Sequence, residues 1–99
     1  MRLSPRHQEA IVRAVADLCG PRARVLLFGS RTDDSQRGGD VDLLVTLPEE
    51  PADRARIERA LYGRIVRALD GRSVDLLLLT PSSPSQEIHK HALATGVPL

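Results

Sequence analysis

The stretch from Val25 to Val45 constrains the fold of this chain more than any other part of the sequence. It reads VLLFGSRTDDSQRGGDVDLLV, two apolar runs separated by a polar loop that contains glycines. Each run has the aliphatic content of a buried strand, and the loop between them is too short for a helical crossover. The stretch therefore predicts two neighbouring strands, Arg24–Phe28 and Asp40–Thr46, that pair in antiparallel fashion.

Two carboxylates stand where the second of these strands begins. Because side chains alternate along a strand, Asp40 and Asp42 point to the same face. Two carboxylates this close raise each other's pKa unless water or a cation separates them. At the mouth of a buried strand the pattern favours a cation site. Asp40 by itself, after two glycines, is also a common turn residue.

The remaining periodic segments predict three helices and a third strand. Ser4-Pro5 is typical of a helix start, and a second Ser-Pro pair precedes the last helix. The predicted segments are a helix between Ser4-Pro5 and Gly20-Pro21, a helix over Ala52–Leu69, a strand over Val74–Leu79 and a helix over Pro84–Ala94. Together they predict one α+β domain over residues 1–99. Its helices would pack on one face of a small mixed, partly antiparallel sheet and leave the other face free.

Asp75 interrupts the otherwise apolar strand VDLLLL. An unpaired carboxylate buried there would cost several kcal/mol or become protonated. It either lies at the wet end of the strand and caps an amide, or it is a third carboxylate that faces the same ion as Asp40 and Asp42. The presence of those two aspartates favours the second interpretation.

The loop between the first two strands opens with Gly29-Ser30-Arg31. A glycine at a strand end permits a tight turn and lets backbone N–H groups approach a phosphate closely. The Ser30 hydroxyl adds a donor and Arg31 adds positive charge. A Gly-Ser turn alone carries little information, so its value comes from its proximity to the acidic pair.

Composition excludes several functional classes. A net charge of +1 over 99 residues, with only two aromatic side chains, argues against a nucleic-acid-binding surface. No apolar run approaches the ~20 residues of a membrane span. The N-terminus has no signal-peptide pattern and Cys19 stands alone, so we expect a cytoplasmic protein.

Taken together, Gly29-Ser30-Arg31, Asp40-Val41-Asp42 and Asp75 resemble the G-S…D-x-D signature of the DNA-polymerase-β-type nucleotidyltransferase superfamily and its third carboxylate. The short chain is similar to the minimal nucleotidyltransferases, the antitoxins of HEPN/MNT toxin–antitoxin modules. Members usually continue with Ala-Arg-Gly, whereas this chain has Thr32-Asp33-Asp34, whose two acids are unfavourable near a triphosphate.

The resemblance implies a palm-like fold and a specific reaction: transfer of AMP from ATP to a hydroxyl, a tyrosine of a partner HEPN toxin. It implies two Mg²⁺ ions held by Asp40, Asp42 and Asp75, with Asp75 helping to deprotonate the incoming hydroxyl. Gly29 and Ser30, with Arg31 beside them, would hold the phosphates.

A second hypothesis is that the chain neutralises its partner by binding alone. The second predicted helix has an exposed face rich in arginine, which provides interface candidates. These arginines are Arg54, Arg56, Arg59, Arg64 and Arg67, of which the last four are the candidates. The complete set of three aspartates favours the enzyme.

Overall fold

A four-stranded mixed sheet with two helices on one face forms this domain. The computed structural model describes residues 3–28, 41–83, 90, 93–94 and 96–99. The elements are α1 (Pro5–Cys19), β1 (Arg24–Phe28), β2 (Val41–Thr46), α2 (Arg54–Ala68), β3 (Val74–Leu79) and β4 (Val97–Pro98). The strand order is β3-β2-β1-β4, with β1 antiparallel to β2 and β4, and β2 parallel to β3. The predicted α+β class and mixed sheet are confirmed.

The ends of both helices follow local capping signals. Ser4 caps α1, accepting a hydrogen bond from the His7 backbone N–H at 3.2 Å. α2 begins at Arg54 rather than at Ala52 as predicted, because the Asp53 carboxylate accepts from the third backbone N–H of the helix at 3.1 Å and caps it. After α2, the predicted stop at Asp70 and Gly71 is confirmed by positive φ angles of 59° and 82°.

The main core lies between the two helices and the sheet. It is built from the apolar stripe of each helix and from every second residue of the strands. Its fully buried members are Ile11, Ala14, Val41, Leu43, Val45, Leu61, Ile65 and Leu69. The helices are also joined at their surface, where the Arg64 guanidinium lies 2.6 Å from the Asp17 carboxylate.

The sequence predicts that the opposite face of the sheet is free. The structure differs, because the centre of that face is buried. Phe28 and Leu44 are buried there in a second apolar cluster, against which Leu26, Leu77 and Leu79 pack. The alternation of side chains explains this, since β1 and β2 carry aliphatic residues on both faces. At one end of this face, among the described residues, Asp42 is half-buried and Asp75 is exposed.

The C-terminal part of the chain adds a strand that the sequence did not predict. β4 is only two residues long, with Val97 opposite Leu27 and Pro98 opposite Leu26. Two residues carry no periodic pattern, so nothing in the sequence indicated this pairing. Most of the predicted helix over Pro84–Ala94 lies outside the described residues. Of the helices that are described, neither has the length and hydropathy to cross a bilayer.

Arg54 corrects the prediction that the arginines of α2 lie on an exposed face. Its guanidinium donates to the Leu78 carbonyl at 2.6 Å, to Thr80 Oγ1 at 3.3 Å and to Ser83 Oγ at 3.1 Å. It also lies 3.5 Å from the Glu58 carboxylate. Arg54 therefore joins the start of α2 to the end of β3.

Candidate active site

One row of residues crosses three strands at the end of the sheet where β1 ends and β2 begins. In the antiparallel pair, Phe28 lies opposite Asp42, and in the parallel pair Asp42 lies opposite Asp75. Residues that lie opposite each other on neighbouring strands point to the same face. Asp42 and Asp75 are therefore adjacent carboxylates on the sheet face that the helices do not cover.

The parallel register places the two carboxylates at directly opposed positions of neighbouring strands. Neighbouring strands lie about 4.8 Å apart, and side chains of opposed residues are within reach of each other. Like charges at that spacing destabilise the sheet unless something of opposite charge separates them. Carboxylate oxygens are the ligands Mg²⁺ prefers, so this donor set fits the predicted ion.

Asp75 is exposed, at the second position of β3. Within the described part of the chain, its carboxylate forms no hydrogen bond or ion pair. The amide-capping interpretation would need such a bond, so the structure gives it no support. Its place beside Asp42 agrees with the alternative, in which both face the same ion.

The other predicted site residues, Gly29, Ser30, Arg31 and Asp40, lie outside the described residues, and their roles stay predictions. In the sequence they follow Phe28 and precede Val41, the two residues that bound the described chain at this end of the sheet. Among the residues that are described, no three carboxylates, histidines or cysteines form a group that could hold a metal ion. The pair Asp42 and Asp75 is therefore the part of the predicted triad that the structure brings together.

A groove of about 280 Å³ adjoins Asp75 at the outer edge of β3. It runs between this strand and α2, which contributes Glu58, Arg59 and Tyr62. The sequence identified Arg59 only as an interface candidate and gave no role to Tyr62. Their position on the helix was predictable, but their placement next to Asp75 depends on how α2 packs on the sheet.

A larger groove, of about 670 Å³, lies on the other side of the helical layer. It follows α1 past Val12 and Ala16 to Leu99. Glu9 is the one carboxylate side chain in its lining. A bound metal ion needs several converging oxygen ligands, so the adjacent pair Asp42 and Asp75, called the carboxylate row below, is the candidate active site rather than the larger groove.

Three solved structures are similar to this chain in fold. A toxin–antitoxin complex crystallised with AMP-PNP is similar over 92% of this chain and 70% of that chain, with 26% identity and a TM-score of 0.64. Two variants of an MntA–HpeT toxin–antitoxin complex share the fold. One has a tyrosine replaced by alanine (22% identity, TM-score 0.63, 93% of this chain and 69% of that one). The other has two aspartates replaced by glutamates (21%, 0.65, 93% and 70%).

Among curated proteins, none matches the sequence significantly. The profile of the nucleotidyltransferase domain family matches residues 9–95, a span that includes most of α1, all of α2 and the first three strands. With the family profile extending over most of its length, this chain belongs to the nucleotidyltransferase domain family.

Proposed function

We propose that the chain is a Mg²⁺-dependent adenylyltransferase that modifies a hydroxyl of a partner toxin, a tyrosine of a HEPN-domain protein, and so acts as its antitoxin. The single observation that carries the proposal is the in-register pair Asp42 and Asp75 at the end of the sheet. The structural neighbour that was crystallised with AMP-PNP is a toxin–antitoxin complex, which supports both an adenine nucleotide and a toxin partner.

The reaction forms one bond and breaks one. The acceptor oxygen bonds to the α-phosphorus of ATP, the bond from that phosphorus to the bridging oxygen breaks, and pyrophosphate leaves. Two Mg²⁺ ions, held by Asp40, Asp42 and Asp75, would stabilise the negative charge on the attacking and leaving oxygens. Asp75, which is exposed, would accept the hydroxyl proton and pass it to water.

The decisive experiment uses ATP labelled at either the α- or the γ-phosphate, with a HEPN-domain toxin as acceptor. Label from the α position only should appear on the toxin, with the mass increase of AMP on a tyrosine peptide. Asp42→Asn and Asp75→Asn should each abolish labelling. Glu49→Gln, an exposed carboxylate beyond the opposite end of β2, should label as the wild type does.

The outcomes separate the enzyme from the binder. If the wild type adds no label but inhibits the toxin as strongly as the Asp42→Asn variant does, the chain neutralises its partner by binding alone. Label transferred from the γ position would instead indicate a kinase. Loss of activity in Glu49→Gln equal to that in the aspartate variants would remove the special role of the carboxylate row.

A further inference from the structure

The outer edge of β3 is the strand edge nearest to the carboxylates. Among the strands that the structure describes, β3 is the outermost on this side of the sheet. The Ser73 carbonyl accepts from the Val41 N–H and the Leu79 carbonyl accepts from the Leu47 N–H, both at 2.9 Å. Because main-chain groups alternate in direction along a strand, every second residue from position 73 faces β2 and those between face outward.

The residues whose main-chain N–H and C=O groups point away from β2 are Val74, Leu76 and Leu78. Arg54 already occupies the Leu78 carbonyl, so the C-terminal half of the edge is closed. Within the described residues, the outward N–H and C=O groups of Val74 and Leu76 have no hydrogen-bond partner. The half of the edge beside Asp75 is therefore available to an added strand.

The groove in front of this open half favours an acidic occupant. Arg59 lines it, is exposed and forms no ion pair with any described residue, whereas Glu58 is already paired with Arg54. α2 as a whole carries five arginines and one glutamate, a charge of +4 in a chain of net +1. Tyr62, 46% exposed, adds an aromatic surface of the kind enriched at protein interfaces.

We propose that an extended, acidic segment of the acceptor protein binds in this groove as an added strand on β3, with a carboxylate on Arg59. This inference rests on the proposed function and deepens it. In an added strand, the residue opposite Asp75 carries its side chain on the same face as Asp75 and Asp42. Strand spacing of about 4.8 Å then places a tyrosine at that position beside the carboxylate row.

The same surface is less suited to a nucleic acid. Main-chain N–H and C=O groups of Val74 and Leu76 at strand spacing match a peptide backbone, whereas a nucleic-acid backbone has no alternating donors and acceptors with which to extend a sheet. A single exposed aromatic also falls short of the stacking platform that single strands use.

Fluorescence anisotropy with a synthetic peptide of glutamates around one tyrosine tests the proposal in the presence of Mg²⁺. The wild-type chain should bind it, and a peptide N-methylated at alternate residues should bind at least about tenfold more weakly, because it cannot donate to the strand edge. Arg59→Glu should weaken binding about tenfold at unchanged melting temperature. Arg13→Glu, an exposed arginine of α1, is the matched control and should bind normally.

Several results would overturn the proposal. In these results the wild type does not bind the glutamate–tyrosine peptide, or it binds the N-methylated peptide or a lysine–tyrosine peptide equally well. A loss of peptide affinity in Arg13→Glu equal to that in Arg59→Glu would also overturn it. Tighter binding of an oligoribonucleotide through Arg59 would assign the surface to RNA.

The Asp42→Asn variant keeps this inference separate from the proposed function. It should bind the glutamate–tyrosine peptide normally and fail to transfer AMP. Toxin labelling that does not depend on Arg59 would refute the docking surface and leave the enzyme. Peptide binding that depends on Arg59, with no transfer of AMP by the wild type to any acceptor, would support the docking surface and refute the proposed enzyme.

Discussion

Replacing Arg54 with alanine should destabilise this domain more than replacing any neighbouring arginine of α2. Its guanidinium bonds the Leu78 carbonyl at 2.6 Å and reaches the Thr80 and Ser83 hydroxyls. The two hydroxyls remain 3.1 Å from each other and keep a partner when the arginine is removed, but the Leu78 carbonyl does not. The loss is therefore concentrated in one charged hydrogen bond at the edge of the sheet.

The magnitude follows from these contacts. A hydrogen bond to a charged group contributes about 1.5–3 kcal/mol, and a 37% exposed side chain belongs at the lower end of that range. The half-exposed pair with Glu58 adds a few tenths, and removing a positive charge from the first turn of a helix returns about as much. Arg54→Ala should thus lose about 1.5 kcal/mol, a fall in Tm of about 6–12 °C for a domain of this size.

Arg56→Ala provides the matched control. It makes the same chemical change two residues further along the first turn, where the side chain is exposed and the backbone N–H, which the substitution keeps, donates to Asp53. Urea denaturation followed by far-UV circular dichroism should show less than about 0.5 kcal/mol of change for this variant. If the two variants differ by less than about 0.5 kcal/mol, Arg54 does not hold the end of β3 in the way its contacts indicate.

Three further predictions concern stability. Gly63→Ala should stabilise α2 by about 0.5–1 kcal/mol, since the atom nearest to the added methyl group is the end of the flexible Arg67 side chain, at 3.4 Å. Gly71→Ala should instead cost about 1 kcal/mol, because Gly71 has a φ of +82°. Urea midpoints that move in the same direction for both variants would contradict this. Asp75→Asn should leave the metal-free melting temperature unchanged or slightly raised, because it removes a like charge beside Asp42; a marked fall would indicate a structural carboxylate. Hydrogen bonds from Ser82 lower the pKa of Glu50 below its ordinary value of 4.5. The stability that they contribute is therefore present above pH 4.5 and is lost as the pH falls through the lowered pKa. Glu50→Gln should make stability depend less on pH in the acid range, and an unchanged dependence would contradict this.

Local sequence signals were sufficient to predict most of the helices and strands, and to place Asp42, one of the two described site carboxylates. The helix start at Ser4, the stop at Gly71 and the antiparallel pairing of β1 with β2 each depend on residues close together in the chain. The predicted start of α2 lies two residues before the observed one, because Asp53 caps the helix. The alternation of Asp42 with apolar neighbours predicts its position near the start of a strand, as observed in β2.

Other features depend on residues far apart in sequence, and no local pattern encodes them. The pairing of Asp42 with Asp75 needs the parallel register between β2 and β3, which hydrophobic packing of α2 across both strands sets. The inward role of Arg54 depends on where β3 ends relative to the helix, so helical periodicity alone assigned it to the wrong face.

The sequence by itself determined the kinds of residue available for chemistry: carboxylates at strand mouths, a Gly-Ser turn and a basic helix. Gly29, Ser30, Arg31 and Asp40 remain predictions at that level. The tertiary structure decided which carboxylates become neighbours and which strand lies at the edge of the sheet beside them. The physical reason is that alternation and capping act over a few residues, while register and edge exposure arise only when distant segments bury a common core.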